Sequence, residues 1–198
     1  MAISRISQST VQAGFPKFNN TWDGKTATSS IDSLGVVVVG SAGAANVEFT
    51  SIPSTYAHLQ IRLIARNTEN DTGAGADLRM QLNGDTGSNY ASHILRGDGA
   101  NATSAAASSQ AQMRLSFTIR NGRTANAFNA GVIDILDYTS TNKNTTVRSL
   151  DGYDSNGAGL ICFSSGLYNS TNAITSIKLF ADAFNFAQHS SFALYGIK

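Results

Sequence analysis

The stretch AHLQIRLIAR, residues 57–66, decides the fold. In an extended chain Leu59, Ile61, Leu63 and Ala65 fall on one side, and His58, Gln60, Arg62 and Arg66 on the other. Such a period of two marks a strand with one covered face; a helix would scatter these apolar side chains around its axis. Ile64 is the exception, an apolar residue on the polar side. The same alternation recurs in DLRMQLNG (77–84), with Leu78, Met80 and Leu82 opposite Asp77, Arg79 and Gln81. It recurs in QMRLSFTIRNG (112–122), with Met113, Leu115, Phe117 and Ile119 opposite Gln112, Arg114, Ser116 and Thr118.

Around these lie other strand-like runs. LGVVVVG (34–40) and ANVEFT (45–50) precede them. GVIDILDY (131–138), GLICFSSGLY (159–168), ITSIKLF (174–180) and SFALYGI (191–197) are apolar on both faces and are predicted to be inner strands. In the last, Phe192 and Leu194 point one way and Ala193, Tyr195 and Ile197 the other. A Greek-key return would bring this strand between earlier ones, with the opposite sheet on one face and a symmetric neighbour on the other.

Turn clusters separate the runs: NDTGAG (70–75), NGDTGSN (83–89), GDGAN (97–101), RNGR (120–123) and DSNGAG (154–159). They place Asn, Asp and Gly where positive φ is needed. RNGR predicts a hairpin. NATSAAASSQAQ (101–112) reads equally as a short helix or an Ala/Ser-rich loop. The whole predicts an all-β fold over 34–198, about ten strands in a two-sheet, antiparallel, jelly-roll-like sandwich.

Residues 1–33 follow neither period and form a predicted irregular N-terminal arm. It carries Phe15, Phe18 and the single Trp, Trp22. Burying such a ring is worth roughly 1.5–3 kcal/mol, so these three are the expected anchoring residues.

Composition narrows the function. Charged residues are 14% of the 198, against about 25% in an average domain. The net charge is +1 with no block of like charges, so the basic stripe of a nucleic-acid binder is missing. No run approaches the ~20 apolar residues of a membrane span, and no membrane insertion is expected. The first residues lack the apolar segment of a secretory signal. The one cysteine, Cys162, lies in an apolar run and reads as a small core residue.

Candidate chemistry is sparse. Asp134 and Asp137 are three apart on one strand and would face opposite sides. Asp151 and Asp154 read as turn residues. Asp71, Asp85 and Asp98 sit beside glycines, where a carboxylate caps its own turn. NGDTGSN offers several oxygens to a hard cation but lacks the D-x-D-x-D-G spacing, so no metal site and no cofactor is predicted. His58, His93 and His189 are far apart and form no zinc pattern. Arg96-Gly97-Asp98 spells an adhesion tripeptide that a Gly-rich chain produces by chance. Tyr90, Tyr138, Tyr153 and Tyr168 lie near strand ends beside Asn and Asp; Tyr90, Tyr153 and Tyr168 are the candidate contacts for a glycan or receptor, against a plain reading as half-buried sheet residues.

FTSIPSTYAHLQIRLIAR (49–66), LNGDTGSNY (82–90), VIDILDYTSTNKNTTVRSLDGY (132–153), SSGLYNSTNAITSIKLF (164–180) and FNFAQHSSFALYGIK (184–198) resemble a module of tailed-bacteriophage structural proteins, common at the C-terminus of tail-fibre and other virion-surface chains. The resemblance implies a non-enzymatic β-sandwich displayed on a virion and assembled in the bacterial cytoplasm. It implies other virion proteins as partners and a host surface glycan as a possible target, while the strands apolar on both faces suggest a homotrimer. Tail fibre or host attachment is the leading expectation and capsid decoration the alternative. A capsule-degrading glycosidase ranks third, because it needs two facing carboxylates.

Overall fold

The computed structural model describes residues 30–73 and 75–198. Phe15, Phe18 and Trp22, the expected anchors, lie outside the described residues. Ile31–Lys198 form one unit, so the first strand starts three residues before the predicted boundary at 34.

Twelve strands follow in chain order: β1 (Ile31–Val38), β2 (Val47–Phe49), β3 (His58–Ala65), β4 (Ala76–Leu82), β5 (Tyr90–Gly97), β6 (Ala102–Gln110), β7 (Met113–Thr118), β8 (Asn129–Leu136), β9 (Thr145–Asp154), β10 (Gly159–Tyr168), β11 (Ile177–Ala181) and β12 (Ser191–Ile197). They form two antiparallel sheets of unequal size. The large one has eight strands in the order β1-β12-β3-β8-β9-β10-β5-β6, the small one four in the order β2-β11-β4-β7. The sandwich core gathers Leu59, Ile61 and Leu63 of β3, Met80 and Leu82 of β4, Ile133 and Ile135 of β8, Leu179 of β11 and Phe192 of β12. Thus the alternation read in 57–66 and 77–84 is the alternation of core and surface.

β12 lies between β1 and β3. Phe192, Leu194 and Gly196 face the core, and the ring of Tyr56 lies on Gly196, where a Cβ would collide with it. Ala193, Tyr195 and Ile197 face outward and are half-buried. The guanidinium of Arg62 sits 5.5 Å from the Tyr195 ring.

Several expectations change. The Ala/Ser segment is neither helix nor loop but strand β6, held by its ladder to β5. All nine of its residues are exposed. In β7, Ser116 and Thr118 are buried, not solvated. A register shift at Leu78/Arg79 pairs Met80 with Met113 but Leu78 with Ser116. Thr118 turns its hydroxyl to the carbonyl of Ala76 and accepts from the Asn67 amide.

RNGR is not a hairpin. β7 belongs to the small sheet and β8 to the large one, so the chain crosses between layers here. Segment 120–127 instead folds over a buried arginine. Arg66 is 5% exposed. Its Nε donates to Asn121 Oδ1, its Nη1 to the carbonyls of Thr124 and Ala127, and its Nη2 to those of Asn121 and Arg123, at 2.6–3.2 Å. The segment also docks on the loop after β3. Gly122 N donates to the Glu69 carbonyl, Asn121 to Asn70, Arg123 to the Gly73 carbonyl, and Arg120 pairs with Glu69 and Asp71. A Cβ on Gly122 would meet the carbonyl carbon of Asn70 at 2.7 Å, so only glycine allows this approach. Gly122→Ala is expected to lower stability by about 2 kcal/mol, the cost of overpacking against backbone. Gly40→Ala, with nothing within 4 Å of the added atom, should change it by less than about 0.5 kcal/mol. Urea midpoints of the two variants check the contrast.

Candidate functional site

The two outer faces of the sandwich differ in kind. On the small sheet most outward side chains are charged and paired, with Gln81 and the half-buried Phe180 between them. Arg79 bonds Asp77 and Asp182, Arg114 bonds Asp77, and Lys178 bonds Glu48. A lattice of paired charges is suited to water. On the large sheet ten large apolar side chains are exposed: Ile31, Val36, Val38, Ile64, Leu95, Leu136, Leu150, Ile161, Phe163 and Leu167. None of the exposed large apolar residues among the described residues lies on the small sheet.

Strand register orders this face into rows. Val132, Leu150, Phe163 and Leu95 are cross-strand neighbours from β8 to β5. Two residues along, the next row reads Ala130, Gly152, Ile161, Gly97 and, on β6, Ala102. On the other side of the apolar row runs a polar one: Gln60, Asp134, Arg148, Ser165, His93. Asp134 accepts from Gln60 at 2.9 Å and from Arg148 at 2.8 Å. Although burial opposes it, these bonds hold the Asp134 carboxyl below its usual range.

The small residues of the second row open a groove of about 890 Å³. Leu150, Ile161 and Val132 wall it, Gln60 and Arg62 lie at one end, and Asp98, Gly99, Tyr153, Asp154 and Gly157 form the loop rim at the other. Both rim aspartates cap turns. Asp98 Oδ1 accepts from the backbone N–H of Asn101 and Ala100, which hold its carboxyl below the usual range. Asp154 Oδ1 accepts from Gly157 N–H at 2.9 Å.

Of the tyrosines singled out, only Tyr153 borders this groove, half-buried. Tyr90 and Tyr168 are 1% and 2% exposed and stack on each other with centroids 5.0 Å apart. Their hydroxyls are spent internally. Tyr90 donates to the carbonyls of Asp85 and Leu82, while Tyr168 donates to Asp85 Oδ2. Burial pushes the Tyr90 hydroxyl up to about 12. Rings held this way offer no face to a sugar, which corrects the expectation for Tyr90 and Tyr168. Tyr138 is buried as well, its hydroxyl on the Pro53 carbonyl.

The carboxylates divide in the same manner. Asp71 and Asp85 cap their turns through Gly73 and Gly87 N–H, as the glycine-rich loops suggested. Asp85 also accepts from Asn89 and Tyr168, so its oxygens are committed to donors rather than to a cation. Asp137 is not on the strand with Asp134; it follows the end of β8 with φ 49° and pairs with Lys143 and His58. Asp151 is the surprise. Expected in a turn, it lies within β9, is 6% exposed, and pairs in register with Gly131 and Cys162. Burial pushes its carboxyl up to about 8, so it holds a proton at neutral pH. Cys162 beside it is pushed up to about 12, first by burial and then by the charge of Asp151. That thiol is an inert core group.

No cluster of three or more His, Cys, Asp or Glu that could hold a metal occurs among the described residues. What the groove and its apolar row can do is dock a surface: they offer area, shape and few charges. Compared with protein-family models, curated proteins and solved structures, the chain matches none.

Proposed function

We propose that this chain is a non-enzymatic structural component of a bacteriophage virion, a tail-fibre or host-attachment protein with the segment that precedes β1 as its anchor. The observation that carries this reading is the contrast between the two outer faces, ion-paired on the small sheet and apolar on the large one. A solitary secreted or cytosolic domain gains nothing from ten exposed large apolar residues, whereas a subunit of an assembly covers them. The resemblance of segments such as 132–153 and 184–198 to virion-surface modules supplies the kind of assembly. Low charge supports it too, because contacts that are mostly apolar change little with ionic strength. For the receptor contact the geometry favours Tyr153, which lines the groove and packs on the Ile94, Phe117, Leu160 and Cys162 cluster, over Tyr90 and Tyr168.

Purified particles carrying this protein test the reading through copy number by quantitative mass spectrometry and position by immunogold electron microscopy. Tens of copies on the tail are expected. Hundreds of copies spread over the head would replace the tail reading with capsid decoration, and absence from the particle would end both.

A further inference from the structure

We propose that the outer face of the large sheet is the docking surface for a second copy of this chain, packed face to face about a twofold axis. The proposal concerns this surface alone and holds wherever on a particle the protein sits.

Three properties of the face select a second copy. The first is shape. The ridge Val132–Leu150–Phe163–Leu95 runs beside the groove floored by Ala130, Gly152 and Gly97. Rows on one face of a sheet are about 7 Å apart, so ridge and groove are close parallel features of one surface. A twofold axis between them lays each ridge into the partner's groove, the reciprocal fit of an isologous interface.

The second is charge. Asp134 and Arg148 already neutralise each other at 2.8 Å, and the other charges of the groove, Arg62 at one end and Asp98 and Asp154 at the other, are of opposite sign. An identical face meets little repulsion there, and a twofold between ridge and groove brings Arg148 of one copy opposite Asp154 of the other, two residues beyond Gly152 on β9. A strongly acidic or basic partner would find no matching field.

The third is area. Eight strands about 4.8 Å apart, each about seven residues of ~3.3 Å, make a face of roughly 900 Å². A standard stable interface takes about 800 Å² from each partner. β6 adds to the case. Its nine residues are ordered with neither side chain face covered, and its Ala and Ser side chains let a facing sheet come close. Ordering a residue costs about 1–2 kcal/mol. A second layer over β5 and β6 would offset that cost with burial that the chain's own small sheet, half as wide, does not provide.

Sedimentation velocity on the full chain between about 1 and 100 µM, with Leu150→Glu, Phe163→Glu and the small-sheet control Lys178→Ala, tests this. The wild type and Lys178→Ala are expected to sediment as dimers. Each glutamate should weaken the dimer about 30-fold or more, the usual effect at the centre of an interface. Leu150 and Phe163 are about half exposed, at 48% and 47%, so circular dichroism and melting temperature should show both variants folded. A full chain that stays monomeric overturns the proposal, whatever else covers the face. So does an odd-numbered assembly, or a dimer indifferent to both substitutions.

Discussion

Asp151→Asn is expected to stabilise this protein at pH 7, by an amount that shrinks to nothing as the pH falls to about 4. The residue lies in β9 between Gly131 and Cys162, is 6% exposed, and belongs to the lining of the groove. Burial alone raises its pKa from 3.8 to about 8. Between those values the folded chain holds a proton that the unfolded chain has released, so stability falls as pH rises. The contribution is fully present below the unfolded pKa and is lost as pH climbs through the folded one. Each pH unit is worth about 1.4 kcal/mol, so about three units to pH 7 set an upper bound of roughly 4 kcal/mol. Asparagine has the same shape and no charge to desolvate, but its amide still needs partners, so a net gain of about 2–4 kcal/mol is expected. Other carboxyls act in the opposite sense. Asp71, Asp85, Asp98 and Asp137 are held below their usual range by hydrogen bonds, and their contribution disappears in acid. The informative quantity is therefore the difference between variant and wild type in urea unfolding at pH 4, 5, 6, 7 and 8. Parallel curves would mean that Asp151 is charged in the folded protein.

Asp151 also shows where sequence reading runs out. An Asp-Gly pair signals a turn, and the core that overrides it is assembled from β8 and β10, which pairwise register brings together only in the fold. The local signals carried well. Alternation along 57–66 and 77–84 placed the eight residues of β3 and six of β4 correctly and failed at Arg66, just beyond β3. Asp-x-Gly spacing in 71–73 and 85–87 anticipated the side-chain caps. What failed was whatever depended on distant neighbours. Tyr90 and Tyr168 look available until β5 and β10 pair and stack them. Ser116 looks solvated until a bulge turns it inward. The apolar outer face had one visible token, Ile64, the residue that broke the first pattern. It is 49% exposed and belongs to the same face as Leu150 and Phe163. An exception within a clean alternation reported a second surface rather than noise.

Arg66→Ala is expected to cost about 3 kcal/mol, because it strands several carbonyl oxygens, at about 1–3 kcal/mol for each that water cannot reach. In a protein of this size that lowers the melting temperature by on the order of 10 °C. Arg66 pairs with no carboxylate among the described residues; its charge is met by the carbonyls of Asn121, Arg123, Thr124 and Ala127 and by the Asn121 side chain. Bonds from a charged donor are worth about 1.5–3 kcal/mol each before solvent competition for the released carbonyls is counted. The backbone of Arg66 is fixed independently: its N–H donates to Ser190 Oγ, and its carbonyl accepts from Ala187 N–H. The substitution therefore leaves β3 in place and releases segment 120–127, which has no regular structure of its own to fall back on. Arg66→Lys discriminates between charge and geometry. An ammonium keeps the charge but has three donors and no planar fork, so it cannot reach all the oxygens that surround the edge of the guanidinium, and roughly half of the stability should remain lost. Thermal unfolding gives the magnitude, and limited proteolysis gives the place: cleavage after Arg120 or Arg123 by trypsin should accelerate in both variants, and more in Arg66→Ala. An alanine variant within about 1 kcal/mol of wild type would mean that contacts of Arg120 and Arg123 with Glu69, Asp71 and Gly73 hold the segment unaided.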